Sequence, residues 1–242
     1  MKALIMGWIK MGNAVKGTPE PRNKHVELET KIAPSQDRSR ATFEAILTVS
    51  GELLGEVGIE RLSTNMIARR AGMTPPSLYR YFPNKYAILH EMGRRVLAAE
   101  DAIVLDWLTA GGADGLASVE EIAARNVEML REVRQAVRNQ PGGVWILRVM
   151  RAVPVLREVR AASLQLVADA LYARLLAASP ATDPARLRAA TLLITNLTSA
   201  ANEMMIDDPS LEQSIAGELA RMVALYSHDL LFGASDGRDA VL

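Results

Sequence analysis

Three histidines, at positions 25, 90 and 228, are the first residues to weigh for metal or acid–base chemistry, and they lie in three separate parts of the chain. No two have the close spacing with which a helix or turn presents ligands to one ion. With no cysteine in the sequence, thiolate zinc sites, disulfides and cysteine nucleophiles are all excluded. That composition fits a reducing cytoplasm. The acidic pairs Glu120-Glu121 and Asp207-Asp208 fall at expected helix starts, where the helix dipole accounts for them. No glycine-rich phosphate loop is present. These residues offer binding rather than turnover, so neither an enzyme nor a bound cofactor or metal is expected.

Residue types and spacing converge instead on Leu62–Phe82, LSTNMIARRAGMTPPSLYRYF. Two short helices crossing at a tight turn need a capped start, a small residue at the crossing, a glycine turn and a second cap. Ser63 or Thr64 can cap the first helix, with Ile67 and Ala68 facing inward. Ala71 permits close packing, and Gly72 can adopt the left-handed conformation of the turn. Thr74 can cap the second helix by accepting the Ser77 amide, and Pro75 and Pro76 fill its first turn, where missing N–H groups cost little. Leu78 and Phe82, four apart, would pin that helix to a core. Around it, residues 61 to 95 carry Arg61, Arg69, Arg70, Arg80, Lys85, Arg94 and Arg95 against Glu91 alone, a local excess of +6 on a chain of zero net charge. Phosphate binding needs such a concentration of charge.

The elements around this stretch are helical. Phe43, Ile46, Leu47, Ser50, Leu53 and Leu54 recur at three- and four-residue steps, one face of a helix that Gly55 and Gly58 are expected to end. A long helix is expected from about Asn84. Ser118-Val-Glu-Glu121 reads as a capping box, and Asp183-Pro184 and Ser210-Leu-Glu-Gln213 mark two further starts. Gly111-Gly112, Pro141-Gly142-Gly143 and Ser179-Pro180 mark breaks. No alternating β pattern appears, so the fold class is all-α. Residues 1–34, interrupted by Pro19, Pro21 and Pro34, read as a flexible N-terminal arm whose Lys24 and Lys31 are offset by Glu20, Glu27 and Glu29. Residues 35–84 read as the helix-turn-helix domain, 85–232 as a larger helical domain, and 233–242 as a flexible tail. No run approaches the roughly 18 apolar residues of a membrane span, so no membrane partner is expected.

The stretch Leu78-Tyr79-Arg80-Tyr81-Phe82, followed by Asn84-Lys85 and preceded by Ile67-Ala68 and Ala71-Gly72, resembles the tetracycline-repressor-like (TetR) family. The resemblance is strong over about residues 38 to 90 and beyond that covers only size and helical character. It implies a homodimeric, cytoplasmic repressor that binds double-stranded DNA at a palindromic operator and is released by a small-molecule effector, with effector binding and dimerisation both in residues 85–232. It implies that Thr64 contacts phosphate, that Asn65 reaches base or backbone, that Ser77 and Tyr79 face the major groove, and that Tyr81 and Lys85 contact the backbone. Pro75 departs from a family pattern that often has a long polar or basic residue there. A guanine contact is lost, leaving Pro75 and Pro76 to touch thymine methyls or sense DNA shape. The rival reading is an all-helical protein-interaction or scaffold protein, which the +6 patch disfavours.

Two features of the second domain stay open. Arg148, Arg151, Arg157 and Arg160 suit an anionic ligand or, more readily, exposed helix faces. Thr191, Thr195, Thr198 and Asn202 form a polar stripe that suits close helix packing, with pocket lining the less favoured alternative.

Overall fold

The computed structural model describes residues 26–31, 37–112, 118–180 and 182–232. Among these, every regular element is helical. Nine α-helices follow in order: α1 (Asp37–Arg61), α2 (Thr64–Arg70), α3 (Pro75–Tyr79), α4 (Lys85–Thr109), α5 (Val119–Asn139), α6 (Gly143–Ala152), α7 (Arg157–Ala178), α8 (Pro184–Asp207) and α9 (Glu212–Phe232). Short 3-10 turns at Pro154–Leu156 and Pro209–Leu211 precede α7 and α9.

Local chemistry sets most of the boundaries. Ser118 caps α5 by accepting the Glu121 amide at 3.2 Å, and both Asp183 carboxylate oxygens accept amides from the first turn of α8. At the entry to α9 the cap is Asp208 rather than Ser210: its carboxylate takes both the amide and the hydroxyl of Ser210. Gly55, expected to help end α1, lies inside it, and the helix breaks only at Gly58. A Cβ at Gly55 would meet the Trp145 indole nitrogen at 2.8 Å, so this glycine admits a ring instead of stopping a helix.

Helices α1–α3 and the first half of α4 form a head around Phe43, Ile46, Leu47, Leu54, Ile67, Leu78 and Phe82, all buried. That core runs without interruption into Val137 of α5 and Ile146, Leu147 and Met150 of α6. The joint is close: a Cβ on Gly51 of α1 would lie 2.7 Å from the Gly142 backbone nitrogen. The rest is a bundle in which α5 packs on α9, α4 on α5 and α7, and α7 and α9 on α8. Arg134, 2% exposed, ties α5 to Glu212 at the start of α9 at 3.0 Å.

The segment Pro154–Ala178 bears on the expectation about membrane spans without deciding it. It is 25 residues long and holds an 18-residue window of mean hydropathy 1.2, enough to cross a bilayer by length and composition alone. Alanines raise the average there without any uninterrupted apolar run. In the structure it packs against α4 and α8.

Candidate nucleic-acid interface

In α2–α3 the fold converts the spacing of the Leu62–Phe82 stretch into a surface. Ser63 is the α2 cap, its hydroxyl accepting the Met66 amide. Gly72 makes the turn at φ 66°, which an L side chain rarely adopts. Thr74 caps α3 through the Ser77 amide, and the Thr74 and Ser77 hydroxyls lie 2.9 Å apart. Leu78 and Phe82 are fully buried. With those two anchored inward, the opposite face of α3 turns out: Pro75, Pro76 and Tyr79 are exposed and Ser77 half-buried.

The proposed contact residues divide by position. Thr64 and Tyr79, fifteen residues apart, bring their hydroxyls to 2.9 Å of each other, so the start of α2 and the end of α3 share one polar patch. Whichever hydroxyl donates in that bond, the other keeps a proton for a phosphate oxygen. Asn65 beside them is exposed. Tyr81 is half-buried, edge-on to Phe43 with ring centroids 6.4 Å apart, and its hydroxyl accepts from Ser39. Lys85 donates to the carbonyl oxygens of Ile59 at 2.9 Å and Leu62 at 3.1 Å, closing the end of α1. Residues 26–31 cross the same corner: the Lys31 amide donates to the Tyr81 carbonyl, and the Asn84 side chain donates to the Glu27 carbonyl. Of the arm expected over residues 1–34, residues 1–25 and 32–34 lie outside the described residues.

The charge excess counted along the chain is smaller in space. Arg70 forks onto Glu56 of α1. Arg94 and Arg95 both bind Glu91, and Arg95 also binds Glu44. Burial works against ionisation of Glu91, but the two guanidinium groups hold its carboxyl below the usual range. Arg61, Arg69 and Arg80 remain exposed and without an ion-pair partner among the described residues. Their position in the motif was visible in the sequence; that they, rather than Arg70, Arg94 or Arg95, keep free charge was not.

The bundle holds a second candidate site, a chamber with about 1280 Å³ of empty space including its mouth. Apolar walls come from α4, α5, α7, α8 and α9, among them Trp107, Met129, Leu164, Val167 and Val223. Thr195, Thr198 and Asn202 face it, so three members of the polar stripe line a pocket, while Thr191 is buried and returns its hydroxyl to the Arg188 carbonyl. Arg160 reaches the chamber too, held by an ion pair to Glu203 and donating to Ser199. Arg148 and Arg151 bind Asp207 instead. The sequence reading missed Glu100 and Asp101. Their signal was present, because Leu97, Glu100, Asp101, Val104 and Leu108 continue the three- and four-residue steps of the inward face of α4.

A three-helix head with a solvent-facing second helix, carried on a helical bundle, defines a helix-turn-helix protein. Residues 46–92, the greater part of the head, match the family model described as bacterial regulatory proteins, tetR family. It is 41% identical over 54 residues to the class C tetracycline repressor protein of Escherichia coli, covering 22% of this chain and 25% of that one. The class D protein of the same organism matches at 35% over 60 residues, 25% of this chain and 28% of that one. The chain thus spans about a quarter of the length of these curated relatives. Among solved structures, NalD, the secondary repressor of the MexAB-OprM multidrug efflux pump in Pseudomonas aeruginosa, has the same fold, with a TM-score of 0.57 and 21% identity over 78% of this chain and 96% of that one. SmeT, the repressor of the Stenotrophomonas maltophilia multidrug efflux pump SmeDEF, gives 0.54 and 20% over 76% and 89%.

Proposed function

We propose that the protein is a cytoplasmic, homodimeric transcriptional repressor that occupies a palindromic operator through α3 and is released when a small molecule fills the bundle chamber. The observation that carries the DNA reading is the anchored α3, with Leu78 and Phe82 buried and Pro75, Pro76, Ser77 and Tyr79 turned outward beside Thr64 and Asn65. Support for a dimer comes from α8 and α9, where Leu193, Leu197, Met204, Met222, Leu225 and Tyr226 are exposed together on the last two long helices. Two such faces stacked across a two-fold axis would bury them, and a palindrome requires that symmetry. Release is carried by α4, which leaves the head beside Lys85 and lines the chamber from Leu97 onward. A shift of α4 changes the separation of two heads that must sit about 34 Å apart. A tenfold loss of affinity needs only about 1.4 kcal/mol of differential binding.

The test is retention of genomic fragments on the purified protein, followed by footprinting and a salt titration. One two-fold site should emerge, with affinity falling steeply as salt rises. Ser77→Ala, Tyr79→Ala and Asn65→Ala should change the preference among sites, whereas Lys85→Ala should weaken all sites and flatten the salt slope by about one unit. Because Lys85 also holds two carbonyls, its variant is compared at equal helicity. Unchanged binding by all four would remove α2–α3 as the reading surface, and no salt-dependent retention at all would favour a protein-interaction module.

A further inference from the structure

One end of the chamber is polar in a lopsided way. Glu100 and Asp101 of α4 stand there with Arg160 and Ser163 of α7 and Ser199, Asn202 and Glu203 of α8. The single guanidinium is already committed to Glu203 and Ser199. Asp101 accepts from the Ser163 hydroxyl at 2.7 Å. Glu100 has only the Asn202 amide, at a long 3.3 Å. On α8 two further oxygens are buried without a hydrogen-bond partner, Asn202 Oδ1 next to that contact and Thr195 Oγ1 two helical turns away, on residues each 6% exposed. One unpaired donor, the side-chain nitrogen of Asn126, belongs to a residue that lines the chamber from α5.

Unsatisfied polar atoms beside a cavity cost stability unless something else serves them. Three carboxyl groups against one spent guanidinium make the place hostile to an anion. Asn202 Oδ1 lacks a donor and Glu100, once ionised, has a single long one, so the place suits a ligand head that donates several hydrogen bonds and carries positive charge. The walls around it ask for an apolar body.

Resting on the reading of the chamber as the effector site, we propose that its ligand is an amphipathic amine, with a protonated nitrogen held by Glu100 and Asn202 and an apolar body between α5, α7 and α9. Burial pushes the Glu100 carboxyl up to about 8, with Arg160 opposing and Asp101 and Glu203 reinforcing the rise. The empty site therefore holds a neutral acid at neutral pH. When an ammonium enters, the Glu100 proton leaves to solvent and a buried ion pair forms, so removing either charge leaves the other uncompensated.

The test uses three probes with one tail and different heads, decylamine, decanol and decanoate, titrated calorimetrically into the full chain. The amine should bind at least about tenfold tighter than the alcohol, and the alcohol tighter than the carboxylate. Glu100→Gln should bring the amine-to-alcohol ratio below about threefold. Asn202→Leu, which keeps the shape and removes the unpaired oxygen, should narrow it less; it supplies a second variant if the first fails to fold. Equal affinities for all heads, a preference for decanoate, or no binding of any probe would overturn the assignment. The effector reading is judged separately, by DNA retention with and without bound decylamine. Tight amine binding with unchanged retention would refute release while leaving the ligand class intact.

Discussion

In the head, Phe82 and Leu78 are fully enclosed by α1 and α4, and the ring of Phe43 sits 4.8 Å from that of Phe82. In the bundle, Val167, Leu171 and Ile194 stand at similar helical spacings but border empty space. The same helix-forming alphabet thus builds a filled core at one end and a hollow one at the other. The difference lies in what faces inward. The head turns mostly apolar side chains toward its centre, and its two buried polar residues are served: the Ser50 hydroxyl returns to its own helix at 2.6 Å, and Glu91 is held by Arg94 and Arg95. The bundle turns Glu100, Asn126, Thr195 and Asn202 inward and leaves part of their hydrogen bonding unmet. Close packing stiffens the head, whereas the bundle keeps open space at its centre.

The largest effect that could break this contrast is truncation of one apolar side chain in each region. Phe82→Ala opens a cavity in a filled core and should cost about 3–5 kcal/mol in urea unfolding. Val167→Ala only enlarges an existing void and should cost about 1 kcal/mol or less, since few contacts disappear. Equal losses would mean that the chamber wall is as tightly supported as the head.

How much of this was legible follows the same divide. The head could be read because its determinants are local: the caps Ser63 and Thr74, the turn at Gly72 and the anchors Leu78 and Phe82 lie within twenty or so residues and each behaves as its type dictates. What failed was counting charge along a window, since Glu44 and Glu56, which neutralise Arg95 and Arg70, come from the preceding helix. In the bundle, boundaries marked by Ser118 and Asp183 were readable, but the meaning of the threonine stripe was not. Whether Thr195 meets a partner helix or a void depends on how far α4, α5 and α7 stand from α8, a long-range property with no mark in local spacing.

A middle-sized effect sharpens the junction between the two regions. Gly72 and Gly142 share φ 66°, but a Cβ at Gly72 would point into open space, while one at Gly142 would lie 2.5 Å from Gly51 Cα. Gly72→Ala should cost about 1 kcal/mol, the conformational penalty alone. Gly142→Ala should cost about 3 kcal/mol, because overpacking of α6 against α1 is added. Equal costs in denaturant titrations would show that α1 and α6 can separate cheaply, and the head would then be only loosely coupled to the bundle.

The smallest effect isolates the hollow region by its pH dependence. Glu100 carries a raised carboxyl, about 8 in the folded chain against an ordinary 4.5. Between those values the folded state binds more protons than the unfolded one, so Glu100 favours folding fully only below about pH 4.5. Its contribution declines as pH rises toward 8 and is constant above. Glu100→Gln keeps the shape and a permanently neutral head, so it should match the parent near pH 5 and become the more stable of the two as pH approaches 8. Solvent entering through the chamber mouth screens the ionised carboxylate, which holds the gain between pH 5 and 7 to about 1 kcal/mol. Phe82→Ala, in the filled head, should shift the whole stability curve without this pH-dependent gain. A Glu100→Gln curve parallel to that of the parent from pH 5 to 8 would mean that Glu100 is fully solvated and ionised in the empty protein, and the bundle would lose its distinction from an ordinary wet surface.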